Sequence, residues 1–250
     1  MGASYFIGTA GWSIQSRYAD EFPSTGSHLE RYAARLDAVE INSSFYRPHR
    51  HETYQRWAAS VPPSFRFAVK LPKAITHERR LADSDGPAAD FLSQVGGLGE
   101  KLAVILVQLP PSLRFDAGKA EVFFHMLRGS TKVGIACEPR HASWFDPRAE
   151  ALLAGFRIAR VAADPPPHAD AARPAGWQGL AYFRLHGSPK IYFSDYSPAA
   201  LTQIKARLKA SKAEQIWCIF DNTAHGHALG NALTVATDLA KIRAAALPLR

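Results

Sequence analysis

Cysteine is nearly missing from this chain. Its 250 residues contain two, Cys137 and Cys218, each inside an apolar run. That placement predicts buried free thiols in a reducing compartment rather than a disulfide or a nucleophile. No stretch of about 18 consecutive apolar residues occurs, which argues against a membrane-spanning helix. The opening Met1-Gly2-Ala3-Ser4 lacks the basic start and apolar run of a secretory leader, so a cytoplasmic location is the expectation. A Gly-x-Gly-x-x-Gly turn is absent, which speaks against a dinucleotide fold and a nucleotide cofactor. So is a Gly-x-Ser-x-Gly elbow, which leaves a serine hydrolase unsupported. The net charge is +8, yet no run of five or more Lys and Arg appears. Arg79-Arg80 sit beside Glu78, and Lys241 and Arg243 fall on a late helical face. Spread cations predict a solvated basic surface before a nucleic-acid footprint.

What is present is a repeated pattern: an apolar run that ends in charged or amide side chains. Strands are expected near 5–8, 38–42, 65–70, 102–108, 133–138, 158–162, 180–186 and 215–221. Helical signals fall between them. Ser27-x-x-Glu30 forms a capping box ahead of Leu29, Tyr32, Ala33 and Leu36. Asp116 can cap a helix carrying Ala120, Phe123, Phe124 and Leu127. Asp146-Pro147 and Ser197-Pro198 each place a cap before a proline at the first helical position. Further helices are expected near 53–59, 87–98 and 229–243. Strand alternating with helix predicts βαβ units, and about eight of them in 250 residues predict one (β/α)8 TIM-type barrel spanning 1–250. Asp164-Pro165-Pro166-Pro167 and Arg173-Pro174-Ala175-Gly176 cannot hold a long helix, so a proline-rich loop should replace the sixth.

In such a barrel the reactive side chains gather at the C-terminal strand ends. Side chains alternate along a strand. Parity then collects Glu40, Asn42, Lys70, Gln108, Glu138, Arg184, His186 and Asp221 or Asn222 at one mouth, with Arg140 nearby and Asp164 joining after the sixth strand. Buried charges must pair with one another, bind a ligand, or both. The cations suit a phosphate or carboxylate. Gly187 and Gly226, in the loops after the last two strands, would let backbone N–H groups approach an anion. Glu40, Glu138, Asp164 and Asp221 form an oxygen donor set for a divalent metal, with His186 beside them. His225-x-His227 reads as an ordinary polar loop pair. Trp12, Phe45, Tyr46, Trp144, Tyr192 and Tyr196 surround the same end, and Tyr192 and Tyr196 with Ser194 and Asp195 are candidates for a movable cover. The fourth and seventh strands end in Gln108 and in Arg184 and His186, so an acid pair for glycoside cleavage is missing there.

These residues resemble the YecE-like family over nearly the whole chain. Gly8-Thr9-Ala10-Gly11-Trp12 resembles its Gly-Thr-Ser-Gly-Trp opening. Val39-Glu40-Ile41-Asn42-Ser43-Ser44-Phe45-Tyr46 resembles its Val-Glu-x-Asn-x-Thr-Phe-Tyr. Lys70-Leu71-Pro72-Lys73 with Ile75-Thr76-His77, Gln108-Leu109-Pro110-Pro111-Ser112 and Glu138-Pro139-Arg140-His141-Ala142-Ser143-Trp144 match as well. So do Arg184-Leu185-His186-Gly187 and Asn222-Thr223 through Gly226, Ala228, Asn231 and Ala232. Ala10 and Ser44 stand where Ser and Thr are usual, and Asp221 where Asn is common. The resemblance implies a TIM barrel, this residue set, and a distant likeness to sugar isomerases.

The expectation is an enzyme acting on a small anionic, phosphorylated or sugar-like molecule. Glu40, Glu138, His186 and His141 would carry acid–base chemistry. Asn42, Lys70, Gln108, Arg140, Asp164, Arg184, Asp221, Asn222, Trp12 and Tyr46 would bind the substrate. A metal-dependent phosphodiesterase of the abasic-endonuclease kind is the first alternative, and a non-catalytic nucleic-acid binder the second. The metal is left open, and the chain is expected as a monomer or homodimer.

Overall fold

The computed structural model describes residues 3–245, with side chains to residue 240. The side chains of Lys241, Ile242 and Arg243, and Met1-Gly2, lie outside the described residues. In chain order the elements are β1 (Ser4–Ala10), α1 (His28–Ala33), β2 (Ala38–Ile41), α2 (Ser43–Tyr46), α3 (His51–Ala59), β3 (Arg66–Lys70), α4 (Asp85–Val95), β4 (Leu102–Gln108) and α5 (Ala117–Ser130). There follow β5 (Gly134–Glu138), α6 (Pro147–Gly155), β6 (Ile158–Arg160), β7 (Ala162–Asp164), β8 (Ala175–Gly176), β9 (Leu180–Leu185), α7 (Pro198–Ala210), β10 (Gln215–Phe220) and α8 (His227–Ala245).

The sheet runs in the order β7-β9-β10-β1-β2-β3-β4-β5-β6-β8, and every pairing except β6–β8 is parallel. β6 and β7 are successive halves of one extended segment, separated by Val161. The first half pairs with β5 and the second with β9. That single segment closes the ring into eight staves, as the alternating pattern predicts.

Two apolar layers follow from strand alternation. The inner one fills the barrel with Ala38, Ala68, Val104, Leu106, Ala136, Ala159, Val161, Leu180, Tyr182, Trp217 and Ile219. Alanines from β2, β3, β5 and β6 face the large rings of β9 and β10. Trp217 stacks on Phe6 at 4.9 Å and on Tyr182 at 5.8 Å. The outer layer packs the alternate strand residues, such as Val39, Phe67, Val107 and Cys137, against the helices. Both cysteines are free and buried, and burial pushes their thiols far up in pKa, so neither is a nucleophile.

The expected caps are in place. Ser27 and Glu30 form both halves of the capping box. Asp116, Asp146 and Ser197 accept from the Lys119, Arg148 and Ala200 amides. The sixth crossover contains no α-helix: a 3-10 turn over Ala169–Ala172 and the short β8 take its place. Buried Arg160 anchors this link. Its guanidinium bonds Glu150, donates to the Asp170 carbonyl at 3.0 Å and lies over Phe145, which stacks on His168. Among the described residues, no helix is long and apolar enough to cross a membrane.

Candidate functional site

The inward parity that places Ala38, Ala68, Leu106, Ala136, Tyr182 and Ile219 in the barrel carries two residues further up each strand. It brings Glu40, Lys70, Gln108, Glu138, Arg184 and Asp221 to the C-terminal end, all buried. His186 follows Arg184 by the same step.

Arg184 is the hub and is 0% exposed. Its Nε and Nη2 donate to the two oxygens of Glu40 at 3.0 and 2.7 Å. Nη1 donates to Glu138 at 2.6 Å, and Nη2 also to Asp221 at 3.0 Å. The planar fork of arginine is what lets one side chain satisfy three carboxylates. His186 lies between two of the same acids, Nδ1 at 3.0 Å from Asp221 and Nε2 at 2.9 Å from Glu138. With a carboxylate on each nitrogen, both donate and the ring is cationic. Tyr182 donates its hydroxyl to Glu40 at 2.8 Å, and Gln108 its amide to Glu138 at 2.9 Å. Arg140 reaches Glu138 at 3.5 Å.

The titration behaviour follows from this packing. Burial alone would raise the Glu138 carboxyl, but Arg184, His186 and Arg140 hold it well below the usual range. Asp221 is held down by Arg184 and His186 against the same burial. Burial opposes the charge on His186, yet Glu138 and Asp221 raise its pKa above the ordinary imidazole value.

Lys70 differs. It is 8% exposed, its Nζ lies 3.9 Å from the centre of the Phe45 ring, and no described residue hydrogen-bonds that ammonium or pairs with it as an ion. Burial first, and Arg184 second, push it down to about 8. Beside it stands His77, its ring edge-on to Phe45 at 5.0 Å and its Nδ1 at 2.8 Å from the Thr76 hydroxyl. Burial, Lys70 and Arg140 lower the His77 pKa, so it is neutral near pH 7. His77 and Tyr182 are absent from the expected site residues. Tyr182 is visible by strand parity alone. His77 rides on a π-helical turn, Ala74–Glu78, that the apolar pattern does not mark.

Several expected residues stand elsewhere. Asp164 faces the other way, because Ala159 and Val161 take the inward positions of its segment. Its carboxylate accepts from Tyr196 at 3.1 Å and lies 3.9 Å from Arg207. His141 caps the turn Ala142–Phe145 through Ser143. Asn222 donates to the Ser194 carbonyl and to Asn231, away from the acids. Asn42 precedes α2, its Oδ1 buried without a partner. Trp12 packs edge-on against Trp57, and Tyr46 is 73% exposed above Phe45. The Gly187 and Gly226 amides donate within the protein, to the Tyr196 hydroxyl and the Thr223 carbonyl, so neither is offered to an anion. Nor do His225 and His227 make a ligand pair: His225 packs on Phe193, and His227 lies 3.5 Å from Asp195.

Tyr192 roofs the cluster. Its ring meets His186 edge-on at 5.8 Å, and its side chain lies near enough to Arg140 to favour the charged guanidinium. Exposed Ile191, Tyr192 and Phe193 share the mouth with Tyr46. Among the described residues, no group of three or more His, Cys, Asp and Glu is arranged to hold a metal ion. The Arg184 guanidinium occupies the place between the acids that a cation would take.

Three comparisons place this architecture among known proteins. The UPF0759 protein YecE of Escherichia coli K12 is 30% identical over 120 residues, which are 47% of this chain and 43% of that protein. The chain thus spans less than half the length of that relative. A crystal structure of a DUF72 family protein from Enterococcus faecalis superposes with a TM-score of 0.78 at 21% identity, covering 95% of this chain and 96% of that one. A xylose isomerase-like TIM barrel/4-hydroxyphenylpyruvate dioxygenase fusion protein matches with a TM-score of 0.53 at 12% identity, over 97% of this chain and 44% of that one. At these identities the two structures speak for the fold alone. The family profile described as "Protein of unknown function DUF72" matches residues 6–249, and the chain belongs to that family.

Proposed function

We propose that the barrel mouth binds a small anionic molecule, phosphorylated or sugar-like, and moves protons on it. One observation carries this: four cationic groups, Lys70, Arg140, Arg184 and His186, meet three carboxylates, Glu40, Glu138 and Asp221, and the Lys70 ammonium is left without a counter-ion of its own. A buried cation in that position stabilises an incoming anion or a developing negative charge. The xylose isomerase-like neighbour lends the sugar-like half of this reading a fold-level analogy.

In this reading the expected roles are redistributed. Glu40 accepts from Arg184 twice and from Tyr182 once. Glu138 accepts from Arg184, His186, Gln108 and Arg140. Held well below the usual range by its cationic partners, Glu138 is a poor proton acceptor, and His186 is held between Glu138 and Asp221. Lys70 and His77, less tightly held, are left at the mouth as groups able to exchange a proton. Glu40, Glu138, Asp221 and His186 then form the charged floor that orients Arg184.

Ligand-induced thermal shift tests this reading. Inorganic phosphate, sugar phosphates and sugar acids are titrated into the purified protein. At least one should raise the melting temperature, and Lys70→Ala and Arg140→Ala should abolish the rise while circular dichroism shows the fold retained. A full rise in both variants would sink the proposal. Arg184 is unsuited to this test, because its loss strands three buried acids and costs about 3–5 kcal/mol.

A further inference from the structure

Lys70 closes β3 at the inner face of the barrel, and nothing in its surroundings has the form of a structural ion pair. The nearby acids are already engaged with Arg184, His186 and Tyr182. Its ammonium instead rests on an aromatic face, 3.9 Å from the centre of Phe45. On that same ring packs His77, whose Nδ1 is occupied by Thr76. The Thr76 hydroxyl also reaches the Pro72 carbonyl at 3.4 Å; donating its one proton there, it accepts from Nδ1–H, and Nε2 is left as an acceptor. Arg140, near enough to depress the His77 pKa, carries a charge that Glu138 meets only at 3.5 Å. A desolvated amine next to another cation is the arrangement that turns lysine into a nucleophile.

We propose that Lys70 condenses with the carbonyl group of an anionic aldehyde or ketone to form an imine, with Arg140 holding the anionic group and His77 carrying the proton. The neutral Nζ attacks the carbonyl carbon, a C–N bond forms, and the carbonyl electron pair moves to oxygen. His77 takes a proton from the nitrogen and returns it to that oxygen, which gives the carbinolamine; it then carries the second N–H proton to the hydroxyl, which leaves as water while the C=N bond forms. No oxidant or reductant takes part. The imine acidifies the neighbouring C–H, which gives the proton transfer proposed above its chemical form. This inference rests on the mouth being an anion site, and it adds the substrate class: a carbonyl compound bearing a carboxylate or phosphate. Since Lys70 is pushed down to about 8, far more of it is neutral at pH 7 than of a surface lysine. Part of that gain is offset by the lower basicity of the amine, leaving an advantage of about tenfold or more.

Glyoxylate with cyanoborohydride traps such an imine as a stable secondary amine, located by peptide mass spectrometry. Lys70 should be modified at least about tenfold faster than any other lysine, and faster by glyoxylate than by neutral glycolaldehyde. Phosphate should protect it. His77→Asn should slow labelling while leaving the phosphate-induced thermal shift in place. Lys70→Arg, checked for fold by circular dichroism, should remove the fast site. If Lys70 reacts no faster than surface lysines while phosphate or glyoxylate still shifts the melting temperature, the imine is overturned and the anion site stands. If neither labelling nor shift occurs, both fall.

Discussion

At the scale of single residues, the mouth is a study in how one guanidinium makes three carboxylates tolerable. Its pH dependence follows from the direction of each shift. His186 has a raised pKa in the folded protein, so its stabilising contribution is complete below the unfolded imidazole value and is lost as pH rises through the folded one. Glu138 and Asp221 have lowered values, so theirs is complete above the unfolded carboxylate range and is lost on acidification. Urea unfolding from about pH 6 to about pH 9 should show this alkaline loss in the native chain, and a flatter profile in His186→Gln. Lys70 runs the other way. Its folded pKa lies near 8 against an ordinary 10.5, so burying its charge costs stability below pH 8, and that cost fades as pH climbs from 8 towards 10.5. Lys70→Met should therefore be more stable than the native chain at pH 7, by roughly 2 kcal/mol, with the gain shrinking above pH 8. Equal stability would mean the ammonium is better solvated than its packing indicates. Parity made most of this cluster legible in the sequence, because Glu40, Lys70, Gln108, Glu138, Arg184 and Asp221 each end an apolar run. Asp164 shares its face with Arg160, while Ala159, Val161 and Ala163 form the wholly apolar, inward face, so alternation read from Arg160 would have turned Asp164 away from the mouth. The order of partnership, with Arg184 central and Lys70 left over, depends on distances across the barrel that no linear pattern holds.

At the scale of elements, caps and prolines were the readable signals, and α1, α5, α6 and α7 start where Ser27, Asp116, Asp146 and Ser197 place them. The missing sixth helix was readable too, from four prolines. What was not readable is the short structure directly above the strand ends. α2 is too brief to show a period, and it is held by tertiary bonds: Ser44 donates its hydroxyl to the carbonyls of Ile41 and, at 2.7 Å, Lys70. That contact carries Phe45 over the mouth. The replaced crossover depends in the same way on a tertiary pair, buried Arg160 with half-buried Glu150. Glu150 binds Arg160 and also accepts from the Gly176 amide at 3.0 Å. Glu150→Ala leaves Arg160 buried without its acid, and should cost about 2–4 kcal/mol in denaturant unfolding. Amide exchange should accelerate at Gly176 and through the turn at 169–172. A loss confined to overall stability, with no local change in exchange, would show that α6 rather than the link bears the effect.

At the scale of the whole molecule, an ordinary composition conceals an uneven barrel. Small residues line one side and large rings the other, and the charged floor lies directly above Tyr182, Trp217 and Ile219. Closure falls to one segment that changes partner in mid-course: β6 holds β5, and then Ala162, Ala163 and Asp164 hold Phe183, Arg184 and Leu185. By contrast, β10 is paired along its whole length on both sides, with β9 and β1. A hoop gives way at its joint. Native-state hydrogen exchange should find the amides of β7 opening at lower free energy than those of β10, and uniform protection around the ring would contradict this. The joint adjoins the stave that carries Arg184 and His186. A molecule seated on that stave would act as a clasp, and the exchange rate of β7 would then report occupancy of the mouth without any turnover being measured.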